Sequence, residues 1–298
     1  MIRGTTRVAA VIGWPVEHSR SPQMFEAAFA EAGLDAVMIP IGVPPDGFAQ
    51  VVGALRAMRA YGACVTTPHK LAAAAACDEL SDAARAIGAV NCVHVAGDRV
   101  VGHNTDCHGF VDALRAAGLA PEGRRCAILG AGGAARAVAH GLELARAAAI
   151  EVIARAPDRV AWTSARPWTS GELRAAFARA ELVVDATSMG LAGADPAAAD
   201  AAADAAIDAL PLDALPAGGW VASLVYHRRQ RLLERAAAAG YSIVDGRGML
   251  VHQGARAFAI WTGARPPIAA MQRALDTALD TALDTALDAS LDASRSGT

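Results

Sequence analysis

Lys70 and Asp106 are the two residues best suited to move a proton. Lys70 ends the run Val65-Thr66-Thr67-Pro68-His69-Lys70, just after an apolar segment, and Asp106 ends Asn104-Thr105-Asp106. An ammonium and a carboxylate bracketing a hydroxyl can shuttle its proton while a hydride leaves the same carbon. A second feature lies upstream, in His18-Ser19-Arg20-Ser21-Pro22. Ser21 reads as a helix N-cap with Pro22 at the first helical position. Two hydroxyls at the positive end of a helix also make a small carboxylate site.

A glycine-rich turn supplies the other half of the chemistry. Gly130, Ala131, Gly132, Gly133 and Ala134 follow the apolar run Cys126–Leu129 and open a helical segment. Glycines there allow a tight turn and a close approach of backbone to a pyrophosphate, and the helix start offers free N–H groups. The next strand-like run ends at Arg155, with Arg159 close behind. A carboxylate at that point would select the ribose 2′-hydroxyl of NAD. Two guanidiniums suit a 2′-phosphate and predict NADP.

These residues need a scaffold, and the hydrophobic pattern provides one. Short apolar runs at 8–13, 36–42, 63–67, 89–95, 126–130, 150–154, 182–188, 220–226 and 241–245 alternate with helical segments such as 22–33, 47–60, 110–118, 133–145 and 229–240. Strands apolar on both faces suit parallel sheets covered by helices on each side. The expected fold class is α/β in two domains, an N-terminal substrate-binding domain with a mostly parallel sheet and a Rossmann-type NADP-binding domain. The expected boundaries are 1–107, 108–240, C-terminal helices over 241–275 returning to the first domain, and a repeat tail over 276–298. The stretch 89–105 reads as an antiparallel hairpin at the edge of the first domain. In the tail Leu275, Leu279, Leu283, Leu287 and Leu291 recur every four residues, as do Asp276, Asp280, Asp284, Asp288 and Asp292. Like charges four apart disfavour a helix, so the tail reads as a frayed extension.

Composition narrows the function classes. The 298 residues are 54% hydrophobic and 19% charged with a net charge of -3, which gives no electrostatic case for nucleic acid. Five cysteines without a CxxC pair argue for reduced thiols in the cytoplasm. The apolar N-terminal run is broken by Gly13 and Pro15 and reads as a first strand, not a signal peptide. No apolar stretch reaches membrane-spanning length.

Taken together, HSRSP, VTTPHK, GAVN, GHNTD, GAGGAA, DATSMG and GRGMLVHQ occur in that order along the chain. The set resembles the shikimate dehydrogenase family from about residue 7 to 275. The resemblance implies reversible NADP-dependent interconversion of 3-dehydroshikimate and shikimate, a step of aromatic amino acid biosynthesis. It implies Lys70 and Asp106 as the catalytic pair, and Ser19 and Ser21 as holders of the substrate carboxylate. Thr66, Asn91, Gln253 and Tyr226 fall at substrate-binding positions. Gly130, Ala131, Gly132, Gly133 and Ala134 match the pyrophosphate loop, Arg155 and Arg159 the 2′-phosphate clamp, and Gly246 and Met249 a stretch beside the nicotinamide. The implied partner is a carboxylated cyclic polyol, with no nucleic acid or membrane partner and with a homodimer left open.

The chain departs from the family pattern in places. Cys64 and His69 stand where Asn and Phe are usual, and His103 and Cys107 alter the Gly-Asp-Asn-Thr-Asp-Gly run. Ala154 and Ala156 flank Arg155 in place of hydrogen-bonding residues, and Ser223 replaces an Asp. The segment 156–170 is short and carries prolines, so a usual helix is expected to be missing. Cys64, His69, His103, Cys107 and His108 match no compact metal motif, and hydride transfer requires no metal. Quinate or an aminated ring acid is an alternative substrate. A ligand-sensing domain without catalysis is the alternative outside the enzymes.

Overall fold

The computed structural model describes residues 2–187, 196–226 and 230–280, with the backbone alone for 196–200. Within it the chain divides into two compact units. One runs to Thr105 and resumes at Gly254, and the other spans Asp106–Gln253.

The first unit holds β1 (Arg7–Gly13), α1 (Ser21–Glu31), β2 (Ala36–Gly42), α2 (Phe48–Ala57), β3 (Gly62–Val65), α3 (Lys70–Ala76), β4 (Glu79–Leu80), α4 (Asp82–Ile87), β5 (Cys92–Ala96) and β6 (Arg99–His103). Its sheet has the order β2-β1-β3-β5-β6-β4. Strands β1, β2 and β3 run parallel, while β5 and β6 form the expected antiparallel hairpin. The hairpin is not the edge, because β4 pairs outside β6. Alternate residues split between the two faces of the sheet. Ala10, Ile12, Ala63, Val65, Val93 and Val95 share one apolar cluster with Phe48, Val52 and Leu55 of α2. Full burial of each such large side chain contributes about 1.5–3 kcal/mol.

The second unit begins with α5 (Asp106–Ala116) and continues through β7 (Arg125–Leu129), α6 (Gly133–Leu144), β8 (Ala149–Ala154), β9 (Arg166–Pro167), α7 (Ser170–Arg179), β10 (Leu182–Asp185), α8 (Pro196–Asp208), β11 (Trp220–Ser223), α9 (Arg231–Ala238) and β12 (Ser242–Val244). All its strands are parallel, in the order β12-β11-β10-β7-β8-β9. Leu182 and Val184 of β10 face one core cluster and Val183 the other, so the sheet is buried on both sides. Between β8 and α7 the chain makes only a 3-10 turn at Pro157–Arg159 and the two-residue β9. The helix expected to be missing there is absent among the described residues.

Helix α10 (Gly246–Thr262) belongs to the second unit up to Gln253 and to the first from Gly254. In the first unit its Phe258 lies 5.8 Å from Phe29 of α1, and its Trp261 lies 5.1 Å from Phe25. A further helix, α11, follows over 268–280, where the described residues end. Its Leu275 and Leu279 are buried, so the leucine stripe begins inside packed structure, and apolar burial outweighs the repulsion of aspartates four apart. Leu283, Leu287, Leu291, Asp284, Asp288 and Asp292 lie outside the described residues. No helix of the described residues is long and apolar enough to cross a membrane.

Several strand readings run too long. β3 ends at Val65, β10 at Asp185 and β11 at Ser223, so Thr66, Thr67, Ala186, Thr187 and Tyr226 leave the sheet. These residues lie at the carboxyl ends of parallel strands, where the chain must turn toward the covering helix. Helices α3, α4, α7 and α8 are not among those read from the sequence. α4 and α7 are defined by their caps: Ser81 accepts the Ala84 N–H, Thr169 accepts the Glu172 N–H, and Gly88 closes α4 at φ 71°.

Candidate active site

In the first unit the strand order reverses between β1 and β3, and ligands of open α/β sheets bind at the carboxyl ends beside such a reversal. The loop after β1 carries Ser19 and leads to Ser21. The loop after β3 carries Thr66 and leads to Lys70, and Asn91 sits opposite the end of β3. The Val65 N–H donates to the Asn91 carbonyl at 2.7 Å, and the Asn91 N–H donates to the His103 carbonyl at 3.1 Å. The sheet therefore gathers Ser19, Ser21, Thr66, Lys70 and Asn91 at one end of its central strands.

Each of these side chains is held locally. Arg20, not Ser21, takes the N-cap of α1 without a side-chain capping bond, and Ser21 is the first helical residue. The Ser21 N–H donates to Ser19 Oγ at 3.3 Å. This spares Ser21 Oγ from capping its own helix. The Thr66 methyl group occupies the space where a Cβ on Gly13 would come within 2.5 Å, so Gly13 must stay glycine for Thr66 to lie there. The Asn91 carboxamide is buried. Its Nδ2 donates to Thr105 Oγ1 at 2.9 Å, and its Oδ1 accepts the Thr105 N–H at 2.6 Å. Asn104 Nδ2 donates to the Ala89 carbonyl at 3.0 Å, tying the same loop again.

Lys70 is half-buried at the first position of α3, directly after His69. His69 is 1% exposed, and its ring stacks on Phe48 with centroids 5.1 Å apart. Its Nε2 lies 2.7 Å from the Val43 carbonyl oxygen. A carbonyl only accepts, so Nε2 carries the proton of that bond. In the sequence His69 stands out as a departure from the family pattern and as one of the Cys and His residues weighed for a metal, and no local signal foretold this bond across 26 residues.

In the second unit the strand order reverses between β7 and β10, and the glycine-rich turn lies at the end of β7. Gly130 has φ +101°, and a Cβ there would lie 2.9 Å from the Ala186 carbonyl oxygen. Gly132 caps α6, and neither it nor Gly133 has an atom within 4 Å of where a Cβ would stand. Ala134 follows in the first turn. Arg155 and Arg159 are exposed after β8. Gly246 opens α10 against the Leu224 carbonyl, and Met249 packs on the cluster beneath the turn. Gln253 is buried with Nε2 donating to the Leu250 carbonyl at 2.8 Å, and it packs against Gly109 of α5. Asp106 is the buried first residue of α5, where a carboxylate suits the helix N-terminus. Tyr226 is half-buried beyond β11.

Asp185, at the end of β10, escaped the sequence reading as an individual residue. It accepts from the Thr187 N–H at 3.0 Å, from Thr187 Oγ1 at 2.7 Å and from Ser223 Oγ at 3.4 Å. The departure at Ser223 thus forms a buried polar pair across β10 and β11. Ser188, Met189 and Gly190 of the same motif lie outside the described residues.

The Cys and His departures do not assemble a metal centre. Cys64, Cys92 and His103 align in one row across β3, β5 and β6. Even so, no group of three or more His, Cys, Asp and Glu among the described residues could hold a metal ion. None of the five cysteines is in a disulfide. Burial pushes the Cys77 thiol up to about 11 and Cys126 up to about 12, so neither is a ready thiolate nucleophile.

The fold and these two strand-end clusters define a two-unit α/β protein, one unit of which is a doubly wound parallel sheet of the dinucleotide-binding type. The family model described as shikimate dehydrogenase substrate binding domain matches residues 11–93, and that described as shikimate 5'-dehydrogenase C-terminal domain matches 246–275. The NADP(+) shikimate dehydrogenase of Citrifermentans bemidjiense is 41% identical over 92% of this chain and 96% of its own length. The shikimate 5-dehydrogenase of Thermus thermophilus, solved with NADP(H) and shikimate, is 34% identical. It superposes with a TM-score of 0.78 over 91% of this chain and 99% of its own. A ligand-free 5-ketofructose reductase of a Gluconobacter strain has a TM-score of 0.77 at 31% identity, over 92% of this chain and 99% of its own. This chain belongs to the shikimate dehydrogenase family.

Proposed function

We propose that this chain catalyses the reversible NADP-dependent interconversion of 3-dehydroshikimate and shikimate. The observation that carries the reading is the gathering of Ser19, Ser21, Thr66, Lys70 and Asn91 at the carboxyl ends of β1 and β3. Their chemistry is that of a carboxylated polyol site, and the relatives above match this chain over nearly their whole length.

The second unit fits a dinucleotide phosphate. The space around Gly132 and Gly133 is open to a pyrophosphate, and the start of α6 supplies free N–H groups. Among the described residues no carboxylate engages Arg155 or Arg159, which suits them to a 2′-phosphate. Gly246 and Met249 are assigned to the nicotinamide end. Bound NADP supplies the hydride acceptor.

The chain's own residues do the rest. Ser19 and Ser21 hold the substrate carboxylate and set the register of the ring. Thr66, Asn91, Gln253 and Tyr226 are assigned to its polar groups. Asn91 is pre-oriented by Thr105, so its amide loses little freedom on binding. Lys70 takes the hydroxyl proton in oxidation and returns it in reduction, with Asp106 as its assigned carboxylate partner. The ammonium also stabilises negative charge developing on that oxygen. The first unit is assigned the substrate and the second the cofactor. Five cysteines outside any disulfide support a cytoplasmic setting.

The test is reduced-cofactor absorbance with shikimate and NADP at alkaline pH, with NAD and quinate in parallel wells. The expected result is a shikimate- and NADP-dependent rate that Lys70→Ala lowers through kcat far more than it raises KM. A rate with quinate alone moves the assignment to that acid, and an undiminished Lys70→Ala rate removes Lys70 from the mechanism.

A further inference from the structure

The glycine-rich turn of the second unit is held at consecutive positions. The Gly130 N–H donates to the Ile153 carbonyl at 2.8 Å, which ties the turn to β8. The Gly132 carbonyl accepts the Arg136 N–H at 3.0 Å, which ties it to the first turn of α6. The position between them is tied by a side chain from outside. Trp162 stands half-buried in the segment between β8 and α7, and its Nε1–H donates to the Ala131 carbonyl at 3.2 Å. Trp162 and Ala131 also pack against the same core cluster.

The direction of that bond matters because a trans peptide is a rigid plane whose carbonyl and N–H point opposite ways. The Ala131 carbonyl and the Gly132 N–H share one such plane. A carbonyl pinned by Trp162 therefore fixes where the Gly132 N–H points, at the residue that caps α6 beside open space. Ala154 and Ala156 at the end of β8 offer no side-chain hydrogen bonds, and the segment they lead into lacks a helix. The indole makes a side-chain tie from this segment to the turn.

We infer that Trp162 is a positioning residue for the cofactor: its indole N–H holds the Gly130–Ala134 turn with the Gly132 N–H presented to the pyrophosphate, so it sets affinity for the dinucleotide and not for the ring acid. The inference rests on the NADP reading of the second unit.

Trp162→Phe tests it, because an aromatic ring stays on the core while the N–H is lost. Trp162→Ala, which removes both, is the companion. NADP binding is measured by calorimetry, alongside separate KM values for NADP and shikimate and the thermal midpoint. Loss of one neutral hydrogen bond predicts a roughly fivefold weaker NADP affinity in Trp162→Phe. The KM for shikimate should stay at its original value, and the midpoint should fall by no more than the few degrees that one hydrogen bond accounts for. An unchanged NADP affinity in Trp162→Phe overturns the inference. So does a rise in both KM values together with a lower midpoint, the signature of packing alone. Wild-type protein that binds no NADP refutes the cofactor reading itself before any variant is compared.

Discussion

Replacing His69 by phenylalanine separates two things its buried ring does. The substitution keeps a ring of similar size stacked on Phe48 but removes the Nε2–H that meets the Val43 carbonyl at 2.7 Å. Val43 is itself buried, so its carbonyl loses a partner in a site with little access to water. An unsatisfied buried acceptor costs about 1–3 kcal/mol. At roughly 2–4 °C per kcal/mol for a protein region of this size, the thermal midpoint should fall by about 5 °C. His69→Ala also loses the stacking, worth about 0.5–1.5 kcal/mol, and leaves a cavity, so its fall should be about twice as large. Lys70 follows His69 directly at the start of α3, so the same loss should loosen the ammonium. The assay is thermal unfolding together with steady-state kinetics on each variant. The expected pattern is a lower kcat in His69→Phe with an unchanged KM for NADP. A phenylalanine variant with wild-type midpoint and kcat would refute the claim that this hydrogen bond holds the loop before Lys70.

Three further outcomes follow from the geometry. Gly130→Ala places a Cβ 2.9 Å from the Ala186 carbonyl oxygen at φ +101°, a strain of about 1–3 kcal/mol. It should raise the NADP KM by about tenfold or more and leave the shikimate KM alone; an unchanged NADP KM would remove the turn from the cofactor site. Arg155→Ala with Arg159→Ala should erode the preference for NADP over NAD, read as the ratio of kcat/KM for the two, and an unaltered ratio would place the 2′-phosphate elsewhere. His94 and His103, 6.3 Å apart, are both held below the usual imidazole value of 6.5, by burial first and then by Arg7 at His94 and by His94 at His103. The unfolded chain therefore binds these protons more readily, so their neutral forms contribute stability in full above about pH 6.5 and lose it as pH falls below. Urea midpoints measured above and below that pH should converge when both residues become glutamine; an equal acid loss in wild type and double variant would assign the effect to other groups.

Much of this protein is legible in its residues because the signals are local. Apolar runs of strand length alternate with helical periodicity, and that alone gives two α/β halves. Glycines after Leu129, prolines after β8 and the serines around Arg20 mark their turns by backbone preference, which needs no distant partner. The order of the motifs is equally a property of the chain, and it carries the family. What the sequence left undecided depends on strand order and register. Asn91 is oriented by Thr105 across 14 residues, His69 is held by Val43 across 26, and Trp162 meets Ala131 across 31. The same pairing sets Cys64, Cys92 and His103 in a row without forming a metal group, where a list of nearby cysteines and histidines invited one. Leu275 and Leu279 read as the start of a repeat, yet burial in the first unit makes them core. Local preference fixes which elements form, and only the packing of those elements decides which side chains meet, because such contacts join residues whose separation along the chain carries no periodic signal.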